Sequence, residues 1–155
     1  MSIFLVTCAG AGEYVKARNV THYTKLQQVD VGDVEGHVIL VYESKGVTTN
    51  LEGKWFCDGW AHHETGVMDI NTKTGLGSGH GYGCQTDRDG NKFMWTWEGK
   101  AMKGGKFGTG YWEATWKAIK GTGKFEGIQA KGTVLGYSVG DEGYADWEGE
   151  VEFPR

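Results

Sequence analysis

The chain has 155 residues, the size of one domain with room for a proper core, and it carries 27 glycines, a single proline and 13% aromatic residues. So many aromatics exclude a disordered chain, and glycine without a strict triplet or abundant proline excludes collagen. A formal net charge of −4 leaves no basic footprint, which disfavours nucleic acid as a partner, and no apolar run reaches membrane-spanning length.

At the amino terminus Ile3-Phe4-Leu5-Val6 is too short for a secretory signal and lacks its basic flank. Leu5-Val6-Thr7-Cys8 echoes a lipoprotein cleavage box, but no full apolar region precedes it. Residues 1–12 therefore read as a first strand or a loosely held end, and a cytoplasmic location is favoured for the chain as given. Cys8, Cys57 and Cys84 are too widely spaced for a disulfide framework or a zinc pattern. They read as free thiols, with a Cys57–Cys84 bridge as the alternative.

From Tyr14 to Val31 the alternation of apolar and polar residues is poor, although Val20–Thr24 and its continuation to Val31 have strand character. His37–Tyr42 is a strand apolar on both faces, and a turn over Glu43–Gly46 leads to a short strand, Val47–Leu51. Lys54–Glu64 reads as another strand with a bend at Gly59, followed by a short polar segment, Val67–Thr72.

Glycine then occupies every second position from Gly75 to Gly83, interleaved with Leu76, Ser78, His80, Tyr82 and Cys84. Alternate residues of a strand point to opposite faces, so this segment has one bare face and one furnished face. Asp87-Arg88-Asp89-Gly90 is a hairpin signal, and Phe93–Glu98 alternates cleanly after it. A loop of two residues (Asp89-Gly90) or four (Arg88–Asn91) sets Cys84 opposite Trp95 and Tyr82 opposite Trp97. Opposed residues share a face, so His80, Tyr82, Cys84, Phe93, Trp95 and Trp97 would converge, and the bare glycine face would point outward. A second four-residue loop, Lys103–Lys106, sets Trp97 opposite Trp112, Trp95 opposite Ala114 and Phe93 opposite Trp116. Both turns then put the aromatics on one side and Thr96, Glu98, Glu113, Thr115 and Lys117 on the other. An odd-numbered loop would flip a strand and break that agreement.

Beyond this meander, Ile119–Ile128 is a glycine-punctuated connection in which Phe125 is expected to turn inward and plug one barrel end. Lys131–Tyr137 is a strand and Gly140–Gly143 a turn. The last strand has Trp147, Gly149, Val151 and Phe153 on one face and Glu148, Glu150 and Glu152 on the other. The expected fold is all-β: a single domain over residues 1–155, an eight-stranded antiparallel barrel with little or no helix. Eight strands close around an interior that side chains fill or that holds one small ligand, and closure removes exposed edges.

Gly121-Thr122-Gly123-Lys124-Phe125-Glu126-Gly127-Ile128, followed by a strand, resembles a motif of the allene oxide cyclase and dirigent-protein barrels. There a similar Gly-Thr-Gly-x-Phe-x-Gly stretch joins two late strands of an eight-stranded antiparallel barrel. The likeness covers about the last third of the chain. It implies a barrel like that of allene oxide cyclase, related in shape to lipocalins, with an apolar cavity and often a trimer. No counterpart of the plant cyclase's catalytic residues stands in this sequence, so none is carried over.

The candidate ligand-binding set is His80, Tyr82, Cys84, Phe93, Trp95, Trp97, Trp112 and Trp116, as polar handles in an aromatic wall; the alternative is that all of them simply fill the core. Trp60, His62 and Glu64 share a second face, with His63 opposite. There a His and a Glu two apart could act as a base with its orienting acid, or stand at a solvated strand end. They lack the spacing of a metal site. No phosphate loop, dinucleotide fingerprint or nucleophile elbow occurs, and no metal or cofactor is called for. The functional expectation is binding of a small apolar or aromatic molecule inside the barrel. Its alternatives are a cyclase or isomerase using His80, Tyr82 or Cys84 for proton transfer, and a surface module for carbohydrate or structure. The partners expected are that small molecule, neither nucleic acid nor membrane, and a second subunit packed on the outward glycine face.

Overall fold

Alternation in eight successive segments folds the chain into eight antiparallel strands, each bonded to the next and the last to the first, in a closed barrel. The computed structural model describes residues 12–53, 56–102, 111–139 and 142–153. The strands are β1 (Glu13–Asp30), β2 (His37–Glu52), β3 (Trp60–Asn71), β4 (Leu76–Thr86), β5 (Lys92–Met102), β6 (Tyr111–Gly121), β7 (Gln129–Val139) and β8 (Glu142–Glu152). One turn of 3₁₀ helix, Gly123–Phe125, interrupts the all-β pattern between β6 and β7. The amino-terminal segment lies mostly outside the described residues, as does the loop expected at Lys103–Lys106.

Two expected boundaries dissolve. Glu43–Gly46 is no turn: β2 runs through it as one strand of 16 residues. Gly46 lets that strand approach β1 closely, because a Cβ there would sit 1.9 Å from the Val20 carbonyl oxygen. The strand expected to start at Lys54 starts at Trp60, after a tight turn in which Gly59 has φ +69° and Cys57, a non-glycine, has φ +70°. Cys57 and Cys84 are free thiols, the former buried in the core, so the alternative of a bridge between them is excluded.

The register of the β4–β5 hairpin differs from the expected one by a single position, with large consequences. Cys84 pairs with Met94, Tyr82 with Thr96, and it is Gly83 and Gly81 that face Trp95 and Trp97. The cause is an odd loop of five residues, Asp87–Asn91, between Thr86 and Lys92. One Asp87 carboxylate oxygen accepts from the amides of Asp89 (2.9 Å) and Asn91 (2.9 Å), while the Asp87 amide donates to the Asn91 carbonyl (3.0 Å). Lys124 adds an ion pair at 2.6 Å, tying this loop to the 3₁₀ turn. Burial would raise the Asp87 pKa, but Lys124 and the Asn91 and Asp89 donors outweigh it and hold it at about 2.

The bare face of β4 therefore points inward and not outward as expected. The indoles fill the space the glycines leave: a Cβ on Gly83 would lie 2.0 Å from Trp95 Cζ2, and one on Gly81 would lie 2.5 Å from Trp97 Nε1. Between β5 and β6 the parity is as expected from Trp95 onward but the pairing slides by four residues, so Trp97 meets Trp116 and Ala101 meets Trp112, while a bulge between Met94 and Trp95 sets Phe93 opposite Gly121.

Phe125, fully buried, closes one end of the barrel as expected. It shares that end with Phe56, whose ring meets Phe93 at 5.4 Å, Phe153 at 5.4 Å and Phe125 at 6.1 Å, all edge-on. Edge-to-face pairs each contribute about 0.5–1.5 kcal/mol beyond their buried area, so these contacts add to the stability of the plug.

Candidate functional site: a cavity with an aromatic wall and one carboxylate

Above the plug the inward residues of β1, β2 and β4 turn polar. Val15 and Ala17 give way to Asn19 on β1, which sits opposite Thr48 on β2, and Gln85 follows on β4. Asn19 Oδ1 accepts from Thr48 Oγ1 at 2.7 Å, Trp147 Nε1 at 3.1 Å and Gln85 Nε2 at 3.3 Å. Gln85 Nε2 also donates to Thr48 Oγ1 (2.9 Å), and the Cys57 thiol donates to Gln85 Oε1 (3.1 Å). Burial pushes the Cys57 thiol well above its ordinary pKa, so it stays protonated as that donor. A buried polar network so fully paired costs little to bury and fixes the rotamers around it.

On this floor stands a cavity of about 110 Å³ that reaches the rim opposite the plug, where Ser138, Gly143 and Tyr144 of β7 and β8 line it. Its wall holds Phe93, Trp95, Trp97, Trp112 and Trp116 from the expected ligand-binding set. The other three members of that set are elsewhere. His80 and Tyr82 are exposed on the outer face of β4, Tyr82 at 60%, and the half-buried Cys84 is on the same face. The one-position register change moves all three out, so they neither line the cavity nor serve proton transfer in it.

His62 and Glu64, expected to share a face with Trp60, do so, and the face is the inner one. The solvated strand end is thereby replaced by a buried pair: the His62 side chain is 1% exposed and that of Glu64 is 16% exposed. His62 Nε2 lies 3.4 Å from Glu64 Oε2 without hydrogen-bond geometry, and neither ring nitrogen has another partner in the protein. The other carboxylate oxygen accepts from the Tyr42 hydroxyl. Burial first, and the nearby Glu64 charge second, push the Tyr42 phenol well above its ordinary value, so it remains a donor. Tyr23 packs edge-on against Tyr42 at 5.5 Å and is likewise pushed up, chiefly by burial.

Tyr23, Tyr42, Asn19 and Gln85 are site residues that sequence reasoning missed. Their signal was present in β1 as an interior that alternates in position but not in polarity: Val15, Ala17, Asn19, Thr21, Tyr23. Among the described residues no group of three or more His, Cys, Asp or Glu side chains could hold a metal ion. Of the described tryptophans all are buried except the half-buried Trp112, so a flat exposed sugar platform has no indole among the described residues.

No protein-family model matches the chain, and no curated protein matches it. Among solved structures it is similar to a protein of unknown function from Clostridium acetobutylicum, at TM-score 0.65 and 8% identity, over 88% of this chain and 98% of that one. It is also similar to the pterocarpan synthase dirigent protein GePTS1, at TM-score 0.52 and 11% identity, over 100% of this chain and 98% of that one. The fold is a dirigent-like barrel. At such identities the likeness concerns the fold alone, and a specific kinship with allene oxide cyclase does not emerge from it.

Proposed function

We propose that this barrel binds a small, largely apolar or aromatic molecule in its interior. One observation carries the reading: an eight-stranded barrel plugged at one end leaves a cavity of about 110 Å³ walled mainly by aromatic rings. A dry cavity of roughly 150 Å³ holds a benzene ring, so the space suits one ring or a compact aliphatic group. Glycines at 81 and 83 let the indoles lie flat against the sheet and so keep the centre open. Iodobenzene, which quenches indole emission, tests this. Saturable quenching is expected in the native chain, with affinity at least about tenfold weaker in Ala114→Phe, which fills the cavity from its wall. Quenching that is linear in concentration and identical in both proteins would remove the reading.

A second reading, an isomerase or cyclase acting on such a guest, draws on the His62–Glu64 pair. The two groups and the Tyr42 phenol occupy the same wall, and an imidazole beside a carboxylate is a residue pair suited to general acid–base chemistry.

A further inference from the structure

Among the described residues the cavity holds two ionisable side chains besides its phenols, Glu64 and His62. Of the side chains lining the cavity, Glu64 alone is a carboxylate, and no lysine or arginine joins it there. The register shows what surrounds it. Ser44 pairs with both Tyr23 and Glu64, Glu64 pairs with Gly83, and Gly83 pairs with Trp95. Because position 83 has no side chain, the Trp95 ring lies over it, at the position that pairs with Glu64. Tyr42 and Trp97 complete the aromatic surroundings on the rim side.

A carboxylate held among rings is costly unless a positive charge offsets it. Tyr42 supplies one hydrogen bond, and His62 stands 3.4 Å away without making one. The rings do not offset the charge: their faces carry negative potential and favour a cation placed over them. A carboxylate and several ring faces converging on one small space thus ask for the same thing.

We propose that the guest of this cavity carries an organic ammonium group, seated against Glu64 with Tyr23, Tyr42, Trp95 and Trp97 around it. The assignment rests on the cavity-binding reading above and narrows it to amines and quaternary ammonium compounds with a compact apolar body. A trimethylammonium head is of the size that the cavity of about 110 Å³ admits, and the net charge of −4 favours approach of cations.

Choline and 3,3-dimethylbutan-1-ol have the same shape and differ by one charge. Both are titrated into the native chain at pH 8, where an ordinary histidine is uncharged, with binding read from tryptophan emission and amide shifts. Choline is expected to bind tighter by about tenfold or more, the order that a desolvated cation–ring contact supplies. Glu64→Gln keeps the shape of the side chain and is expected to bring the two affinities within about threefold. Equal binding to the native chain, or tighter binding of the alcohol, overturns the ammonium assignment and leaves the apolar cavity standing. A choline preference that persists in Glu64→Gln overturns it too, because the carboxylate is then not its source. If neither compound binds and iodobenzene also fails, both readings fall together.

Discussion

Gly83 and Trp95 occupy what would be the same space in any other sequence. The indole lies where a Cβ at 83 would be, 2.0 Å from Cζ2, so even one methyl group must displace a buried ring. Gly83→Ala is therefore expected to destabilise the barrel by about 1–3 kcal/mol, as overpacking does. Urea unfolding checks it, and a change in native tryptophan emission should accompany the loss. At this scale the sequence was half legible. The alternation around Trp95 and Trp97 showed that the two share a face, but whether their neighbours across the strand were Cys84 and Tyr82 or the glycines hung on one residue of loop length. The Asp89-Gly90 pair signals a two-residue turn; Asp87, two positions earlier, accepts two amides through its side chain and enlarges the loop to five.

Among the elements, β1 and β2 outgrow the rest. Pairing of β1 with β8 ends at His22–Glu142, whereas pairing with β2 continues to Asp30–Val38. The far half of β1 thus has no strand partner on its second edge among the described residues. A register shift between Tyr23 and Lys25, and the exposed Lys25 held at 2.8 Å by Glu43, blunt that edge against adventitious pairing. The Lys25 ammonium, with Lys45 and Thr24, holds the Glu43 carboxyl at about 2.

The tip of this hairpin is fastened by His37, whose Nδ1 lies 2.6 Å from Asp33 and whose Nε2 lies 2.7 Å from Asp69 on β3. Two carboxylates on two ring nitrogens select the imidazolium. The hydrogen bonds to Asp69, then to Asp33, raise the His37 pKa above its usual value, while the bond from His37 holds Asp33 below its own. A raised histidine pKa stabilises fully below the unfolded value near 6.5 and loses that contribution as pH climbs through the folded value. The depressed aspartate stabilises above about pH 4 and loses its share as pH falls. The gap in melting temperature between the native chain and His37→Asn is thus expected to be widest near pH 5–6 and to shrink by pH 9. A gap that is flat across that range would show that the clamp contributes nothing.

For the whole molecule, the division of labour runs along the barrel axis: an aromatic plug, a polar floor, then a cavity with one carboxylate. Phe125 belongs to the plug and is remote from Glu64, so Phe125→Ala should cost about 3–5 kcal/mol of stability, read by denaturant unfolding. Where the variant still folds, iodobenzene should bind with little change, since Phe125 does not line the cavity. A parallel loss of binding would mean that the plug and the cavity are not separable.

From the order of residues alone came the strand number and class, the closing Phe125, the inward tryptophans and the shared face of His62 and Glu64. These depend on period-two alternation and on turn residues, which are local properties of a strand. What only tertiary structure decided was which face of β4 the rings meet, that β2 passes unbroken through Glu43–Gly46, and that Asn19, Tyr23, Tyr42 and Gln85 share an interior with Glu64. Those outcomes are set by registers between strands and by closure of the sheet on itself. Both depend on which partner a residue meets across the barrel, and no local pattern in the chain contains that.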